Sequence, residues 1–585
     1  MEITRVQLSG FRNFRDATIH FANKSLIIGP NEIGKSNLLY ALRLILDPHI
    51  PEADLVPQDS DFYAFEDTNQ ILIIIKFENV VEDCVLAKFK QHVSDNSELY
   101  LGYKAERHSV SGRKSYKILV GRSLESLNEE EHRFYLRVLN LKFMDSKRDL
   151  SSFMRREKRG LLQDAKNERT ESEISADNER IRTIEQELTN TRARISEVSY
   201  ISKATEGLNS ELSRLSVQSD KAEVVFDTGT TDTEQFIDNL KLASRVQGKT
   251  LTIGGDGKNN QIQLALWAAR NTAHLVTGEE PLEINIFCIE EPEAHLHPHQ
   301  QRRLATYLAE TLQAQVLLTT HSPQIACEFP PNSIVRLFNN GPDTRAASSG
   351  SSLHIMDAFI EFGHRLNIIP AEAFFASVVF LVEGKSEELF YKALAQQIGV
   401  DLDKLNISIL IVDGVGFLPY VNLLKALEIR FVVRTDNDIF KVPRSDQYRL
   451  AGVQRAIDIC KYIQIESPDF TRLLGFEVKL HRFDHDPPPI EVTQIAEEFI
   501  AAVEKHDIFV AKRDLEHDLY DALNSAISDY LGTTEPDETI QLMKKRKATF
   551  MFEFLKDRGT LLKQLVEHSL TKPLLRCVQI VKEQP

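Results

Sequence analysis

Several α/β domains are predicted for this chain of 585 residues, and three features predict them. Short apolar runs of strand length recur, and most end in glycines or carboxylates followed by a helical pattern. One such junction, residues 29–36, reads Gly-Pro-Asn-Glu-Ile-Gly-Lys-Ser. Between two groups of these junctions lies a charged, proline-free stretch, residues 164–219, whose periodicity is helical.

Bulk composition sets the bounds. The length suggests three or four domains, and 42% hydrophobic with 27% charged residues is ordinary for globular chains. No apolar run approaches the ~20 residues needed to span a bilayer, and residues 1–5 lack the plan of an export signal. The five cysteines are scattered without C-x-x-C spacing, which argues against a zinc ribbon and for reduced thiols. A cytoplasmic protein without membrane association is expected. The net charge of −16 disfavours nucleic acid only weakly, because a carboxylate-rich metal site can adjoin a basic groove.

The first junction follows the apolar run 25–28 and opens a helical pattern from Asn37 onward. Strand, glycine-rich turn and helix in that order make a cradle of backbone N–H groups for phosphates. Asn31, Gly34 and Asn37 line the cradle, Lys35 reaches the β/γ oxygens, and the Ser36 hydroxyl holds Mg²⁺. ATP or a similar nucleotide is therefore the expected ligand. The acidic partners of such a loop come 255 positions after Lys35, where the apolar run 284–289 ends in Glu290-Glu291-Pro292-Glu293. Glu290 is assigned to Mg²⁺ through water and Glu291 to the attacking water. A further buried run, 316–320, ends at His321, well placed to meet a γ-phosphate. Gly255, Asp256, Gly257 and Lys258 form a second glycine-rich helix entrance, expected to serve the nucleotide of a partner subunit.

In the stretch between, Ile174, Ile181, Ile184, Leu188, Ile195 and Val198 recur at helical spacings. One or two amphipathic helices are predicted, with dimerisation as the use of their stripe.

The last third has its own chemistry. The runs 377–382, 407–412 and 431–435 end in Glu383-Gly384-Lys385-Ser386-Glu387, in Asp413-Gly414, and in Asp436-Asn437-Asp438. Parallel strands would deliver these carboxylates to one sheet edge, where they repel unless hard cations, Mg²⁺ or Mn²⁺, lie between them. Two such ions ~4 Å apart would flank the attacking and leaving oxygens of a phosphodiester. Asp413 is open as a ligand or a turn residue.

The opening segment 1–16, the phosphate loop and Glu290–Pro298 resemble the ABC-type ATPases of the SMC and DNA-repair class. Residues 254–258 stand where that class has its signature loop but depart from its usual Ser-Gly-Gly. The order Glu-Gly-x-Ser-Glu, Asp-Gly-x-Gly, Asp-x-Asp resembles the Toprim domain. ABC-type ATPase first and Toprim second is the plan of the OLD-family nucleases, and length and short insert most resemble those of the Gabija anti-phage system. The resemblance implies an ABC-type head with a helical dimerisation insert, followed by a Toprim domain. Its boundaries are expected at 1–150 and 246–345 for the two ATPase halves, 151–245 for the insert, 346–371 for a linker and 372–585 for the nuclease. It also implies Asp514 and Glu516 as metal ligands beside Glu383, Glu387, Asp436 and Asp438, and Lys547 as catalytic lysine, with Lys545 the alternative for that role. Lys544, Lys545 and Arg546 are placed on DNA phosphates.

An ATP-regulated, metal-dependent endonuclease on double-stranded DNA follows as the expectation, as a homo-oligomer (dimer or tetramer) with a UvrD-like helicase as partner. The alternatives are an SMC-like DNA-binding ATPase or clamp with an inert Toprim half, or an OLD nuclease acting in repair.

Overall fold

The computed structural model describes residues 1–108, 111–144, 150–167, 169–206, 243–246, 249–252, 283–294, 296–350, 368–413 and 416–583. The chain divides into two compact units, Met1–Ser146 with Glu280–Pro585, and Lys147–Glu279.

In the larger unit two six-stranded sheets share the first half. One is antiparallel and runs, in spatial order, Phe14–His20, Glu2–Phe11, Gln70–Glu78, Leu99–Arg107, Lys114–Gly121, Asn128–Glu130. Its alternation puts Ile3, Val6 and Leu8 on the buried face, with Leu8 opposite Ile73. The other runs Asp343–Ala346, Ile334–Asn340, Lys24–Ile28, Val316–Thr319, Ile284–Glu290, Leu139–Met144, and only its Asp343–Ala346 edge is antiparallel. Covered on both faces, its central strands are continuous apolar runs, with Leu26, Ile27, Ile28, Leu317 and Leu318 buried. The helix Lys35–Leu46 seats Leu38, Leu39, Leu42, Ile45 and Leu46 in the core between the sheets.

The second half is built on a four-stranded, wholly parallel sheet: Ile407–Ile411, Val378–Val382, Arg430–Thr435, Ile508–Val510. Val378, Phe380 and Val382 pack into one cluster with Phe390, Tyr391, Leu515, Leu519, Phe554 and Leu574 from the helices Lys385–Ile398, Leu515–Leu531, Lys547–Arg558 and Lys572–Glu583. Ser348 ties the halves together: its Oγ donates to the Ala426 carbonyl at 2.8 Å and its N–H to Glu428 at 3.2 Å. Residues 351–367 of the expected linker lie outside the described residues.

The smaller unit contains the helices Leu150–Asn167 and Glu171–Ser196 and a hairpin of Ala243–Val246 with Lys249–Thr252. Ile181, Ile184 and Leu188 are half-buried along the longer helix, whereas Ile174 is exposed. All five cysteines are free thiols. Among the described residues no helix is long and apolar enough to cross a membrane.

Candidate nucleotide and metal sites

The phosphate loop is held open by its glycines and by the opening turn of the chain. Gly29 has φ 153°, and a Cβ there would stand 2.6 Å from the Leu337 carbonyl oxygen. Gly34, at φ 98°, packs on the Asn13 amide, which leaves no room for a side chain. Asn13 Nδ2 donates to the Ile33 carbonyl and the Thr344 hydroxyl, both at 2.7 Å. Asn37 accepts from Arg12 Nη1 at 2.8 Å and donates to Asn13 Oδ1 at 2.7 Å. Arg12 in turn pairs with Asp61 at 2.9 Å and lies 4.3 Å over the Tyr40 ring. Asn31 is exposed at the tip of the loop.

Lys35 folds back into the cradle, its Nζ donating to the carbonyls of Gly29 (3.0 Å) and Pro30 (2.8 Å). Burial lowers its ammonium to about 8, although Glu291, Glu290 and Glu293 pull the other way. The Ser36 hydroxyl, in the first turn of the helix Lys35–Leu46, bonds Glu290 at the end of the strand Ile284–Glu290, so the expected Mg²⁺ pair already faces itself. Glu291 has the left-handed φ of 44° and places Oε1 3.3 Å from His321 Nε2. Burial, with Lys35 nearby, lowers the His321 imidazole.

Glu293, named above only as part of the acidic run, organises this corner. Its Oε1 accepts from the Thr320 hydroxyl and the His321 N–H, both at 2.7 Å, and burial raises its carboxyl. Gly255, Asp256, Gly257 and Lys258 lie outside the described residues.

In the second half, parallel pairing brings the C-terminal ends of Val378–Val382 and Arg430–Thr435 side by side, which delivers Glu383 and Asp436 to one edge. Glu383 Oε1 accepts from the Thr435 hydroxyl (2.6 Å), the Asp436 N–H (2.8 Å) and the Arg455 guanidinium. Asp436 pairs with Arg434 at 3.0 Å, and Arg434 reaches Asp518 at 3.2 Å. Asp514 caps the helix Leu515–Leu531 through the His517 N–H (2.9 Å), and also engages His517 Nδ1 (2.7 Å) and Lys544. Glu516 lies 3.5 Å from Lys547 Nζ, and Lys547 and Lys545 are both exposed. Asp413 is exposed, with φ 32°, in the turn after the outer strand. Lys544, expected on a DNA phosphate, is paired with Asp514 and remains partly exposed.

Burial sets the protonation of this cluster. Burial and the Asp436 charge push Glu387 up to about 7, and burial lifts Asp518 to about 6 against Arg434. Burial also raises Glu383, Glu516 and Asp438. Asp514 is the exception: the bonds from His517 and Lys544 outweigh burial and hold it well below the usual range. Lys547 is lowered by burial but raised further by Glu516, Asp436, Glu387 and Asp514, so it stays charged.

Among the described residues no group of three or more His, Cys, Asp or Glu is arranged to hold a metal as it stands. Three of the carboxylates are paired with cations: Asp436 with Arg434, Glu383 with Arg455 and Asp514 with Lys544. The donor set still suits a hard divalent cation. Its groups are carboxylate oxygens, several are raised by burial and by their neighbours' charges, and Glu516 Oε2 is buried without a hydrogen bond. Arg434, Arg455, Thr435 and Asp518 were not evident in the sequence; the only local signal is an arginine closing a buried apolar run at 431–434.

Comparison with known proteins agrees with both halves. The family model described as "AAA ATPase domain" matches residues 1–326, and "Overcoming lysogenization defect protein-like, TOPRIM domain" matches 374–438. The chain is 23% identical over 582 residues to Endonuclease GajA of Bacillus cereus (strain VD045), covering 96% of each. It is 28% identical over 469 residues to the OLD nuclease of Thermus scotoductus (76% of this chain, 84% of that protein). It is 25% identical over 472 residues to the uncharacterized protein YbjD of Escherichia coli (75% and 80%). With an intact phosphate loop leading one half and a carboxylate-edged parallel sheet forming the other, the chain belongs to the AAA ATPase domain family and carries an OLD-like TOPRIM domain behind it.

Proposed function

We propose that this protein is a divalent-metal-dependent DNA endonuclease regulated by nucleotide at its ATPase half, acting in anti-phage defence in the manner of Gabija. The observation that carries the reading is the gathering of Glu383, Glu387, Asp436, Asp438, Asp514 and Glu516 beside Lys547 at one edge of the parallel sheet. The names of two relatives, Endonuclease GajA and OLD nuclease, support the same activity.

Those six carboxylates would hold Mg²⁺ or Mn²⁺, whose charge would stabilise the attacking and leaving oxygens of a phosphodiester. The chain's own groups do the rest. Lys547, kept protonated by its carboxylate neighbours, faces the pentacoordinate phosphorus and offsets its added charge. His517 fixes the orientation of Asp514, and the Thr435 hydroxyl and Asp436 N–H fix that of Glu383. In the ATPase half, the loop N–H groups and Lys35 bind the triphosphate. Glu291 accepts a proton from the attacking water, and His321 holds that carboxylate in place.

Double-stranded DNA is the substrate class. A homo-oligomer, dimer or tetramer, uses the insert's apolar stripe, and a UvrD-like helicase is the partner. The test is cleavage of supercoiled plasmid with Mg²⁺ or Mn²⁺, with and without ATP, by wild type and Asp438→Asn. Nicked or linear product lost in the variant supports the reading. Intact plasmid in every condition overturns it and favours an SMC-like DNA-binding ATPase.

A further inference from the structure

Immediately after Asp438 the chain leaves the sheet edge as a small hairpin, Ile439–Lys441 paired with Tyr448–Leu450. Neither the phosphate loop nor the carboxylate cluster uses it. We infer that this hairpin grips the DNA strand at the cut, with Phe440 stacked on an unpaired base and Lys441, Arg444 and Arg449 on the flanking phosphates. The inference rests on the nuclease reading above and adds to it a contact and a substrate preference.

Position comes first. Phe440 is two residues from Asp438, so their α-carbons lie within about 7–8 Å. That is on the order of one nucleotide step along an extended strand. Phe440 is 46% exposed, although it stands on a paired strand. Its cross-strand partner is Arg449, whose Nε is buried without a hydrogen bond. Lys441 and Arg444 are exposed at the turn, where Asp446 is the one carboxylate, paired with Lys441 at 2.9 Å. In a chain of net charge −16, this is a local basic excess directly beside an acidic cluster. An exposed aromatic among cations is the chemistry of a stacking platform for single-stranded nucleic acid.

The hairpin is also rigidly rooted, as a gripping element must be. The Ala451 N–H donates to the Asp438 carbonyl at 2.9 Å, and the Val453 N–H to Asn437 Oδ1 at 3.2 Å. Gly452, in the helix Ala451–Ile463 that follows the hairpin, lies against the Asp436 carbonyl, and a Cβ there would stand 2.9 Å from the Asn437 α-carbon, so that helix and the carboxylate turn are packed together. Tyr448 exchanges backbone bonds of 2.7 and 3.1 Å with Phe483 and stacks on its ring. A pair of three-residue strands would not persist in water without such anchoring.

A base that stacks on Phe440 must first leave its pair. The protein is therefore expected to bind and nick a duplex with a short bubble at the cut better than a fully paired one.

The test uses full-length wild type, Phe440→Ala and Phe440→Trp. Binding is read in EDTA on a duplex carrying 2-aminopurine in a three-base bubble, and nicking is read with Mg²⁺ or Mn²⁺ on bubble and paired duplexes. Wild type should quench the 2-aminopurine. Phe440→Ala should lose the quench, bind the bubble on the order of 10–100-fold more weakly and nick both duplexes alike. Phe440→Trp should keep wild-type behaviour. If wild type cuts and Phe440→Ala matches it in quench, affinity and bubble preference, the hairpin inference is overturned and the nuclease stands. A wild type that neither binds nor cuts any DNA overturns both.

Discussion

Arg336 Nη1 donates to the Leu427 carbonyl at 2.9 Å, a bond that joins the ATPase sheet to the TOPRIM sheet. A second bond from the same nitrogen reaches the Glu428 carbonyl at 3.2 Å. On one side, Arg336 pairs in register with Ile28, and its neighbour Leu337 abuts Gly29 of the phosphate loop. On the other, Leu427 and Glu428 form the turn that launches Arg430–Thr435, the strand that ends at Asp436. Burial costs the guanidinium enough to bring it down to about 10, so this contact has been kept against a desolvation penalty.

Replacing Arg336 with methionine should uncouple the halves. The carbonyls of Leu427 and Glu428 lose their donor, a cost of about 1–3 kcal/mol in urea unfolding. The ratio of nicking rates with and without ATP should move toward one, while ATP affinity stays within threefold or so. An unchanged ratio would show that the signal travels elsewhere.

Proton uptake should accompany ATP binding. Lys35 is lowered from 10.5 to about 8, so above that pH it is largely neutral in the free protein. The triphosphate charge favours its ammonium. Titration calorimetry at about pH 8.5, in buffers of different ionisation enthalpy, should report up to about one proton taken up, and Lys35→Met should abolish it. The same depressed value means that stability rises with pH from about 8 toward 10.5, because there the unfolded chain holds the extra proton.

Glu291→Gln should slow ATP hydrolysis by roughly 10²–10⁴-fold with little change in ATP affinity. His321→Ala should do the same more weakly, since it acts through Glu291. Single-turnover hydrolysis paired with equilibrium binding separates the two effects, and equal losses of binding and rate would contradict the assignment.

Asp436→Ala and Asp438→Asn should both stop nicking but differ in stability. Asp436→Ala strips a fully buried Arg434 of one of its two carboxylates and should cost about 3–5 kcal/mol. Asp438 makes no comparable pair and is half-buried, so its amide should cost about 1 kcal/mol or less. Urea midpoints measured without metal decide it.

Metal binding should stabilise the protein more at neutral than at acid pH. Glu387 is raised from 4.5 to about 7, so between those values the folded state holds the extra proton and stability falls as pH rises. A bound divalent cation offsets the charge that develops. The gain in Tm on adding Mg²⁺ should be small at about pH 5.5 and several degrees at about pH 7.5.

The features legible in the sequence are those whose signal is local. The phosphate loop, Glu290 with Glu291, Glu383 and Asp436 all close apolar strands, and strand, turn and ligand are contiguous in the chain. The residues that hold them in place come from afar. Arg455 lies 72 positions from Glu383, Asp518 lies 84 from Arg434, and Thr344 lies 331 from Asn13. Each arrives by packing of a helix or strand whose own pattern says only that it is amphipathic. Glu293 shows the intermediate case: its place in the acidic run is plain, but its bonds to Thr320 and His321 depend on how two parallel strands align.

The placement of Lys24–Ile28 also has a consequence during synthesis on the ribosome. Its two neighbours in the sheet are Val316–Thr319 and Ile334–Asn340. At ~5–20 residues per second, about 15–60 s pass between the emergence of this strand and that of the first partner. Throughout that interval Leu26, Ile27 and Ile28 lack both of their neighbouring strands, and the loop that follows has no Glu290 to face until shortly before its end. The complete nucleotide site, with Glu290 and Glu291, therefore forms only late in synthesis, while the antiparallel sheet, complete by Glu130, is available early to cover the waiting strand.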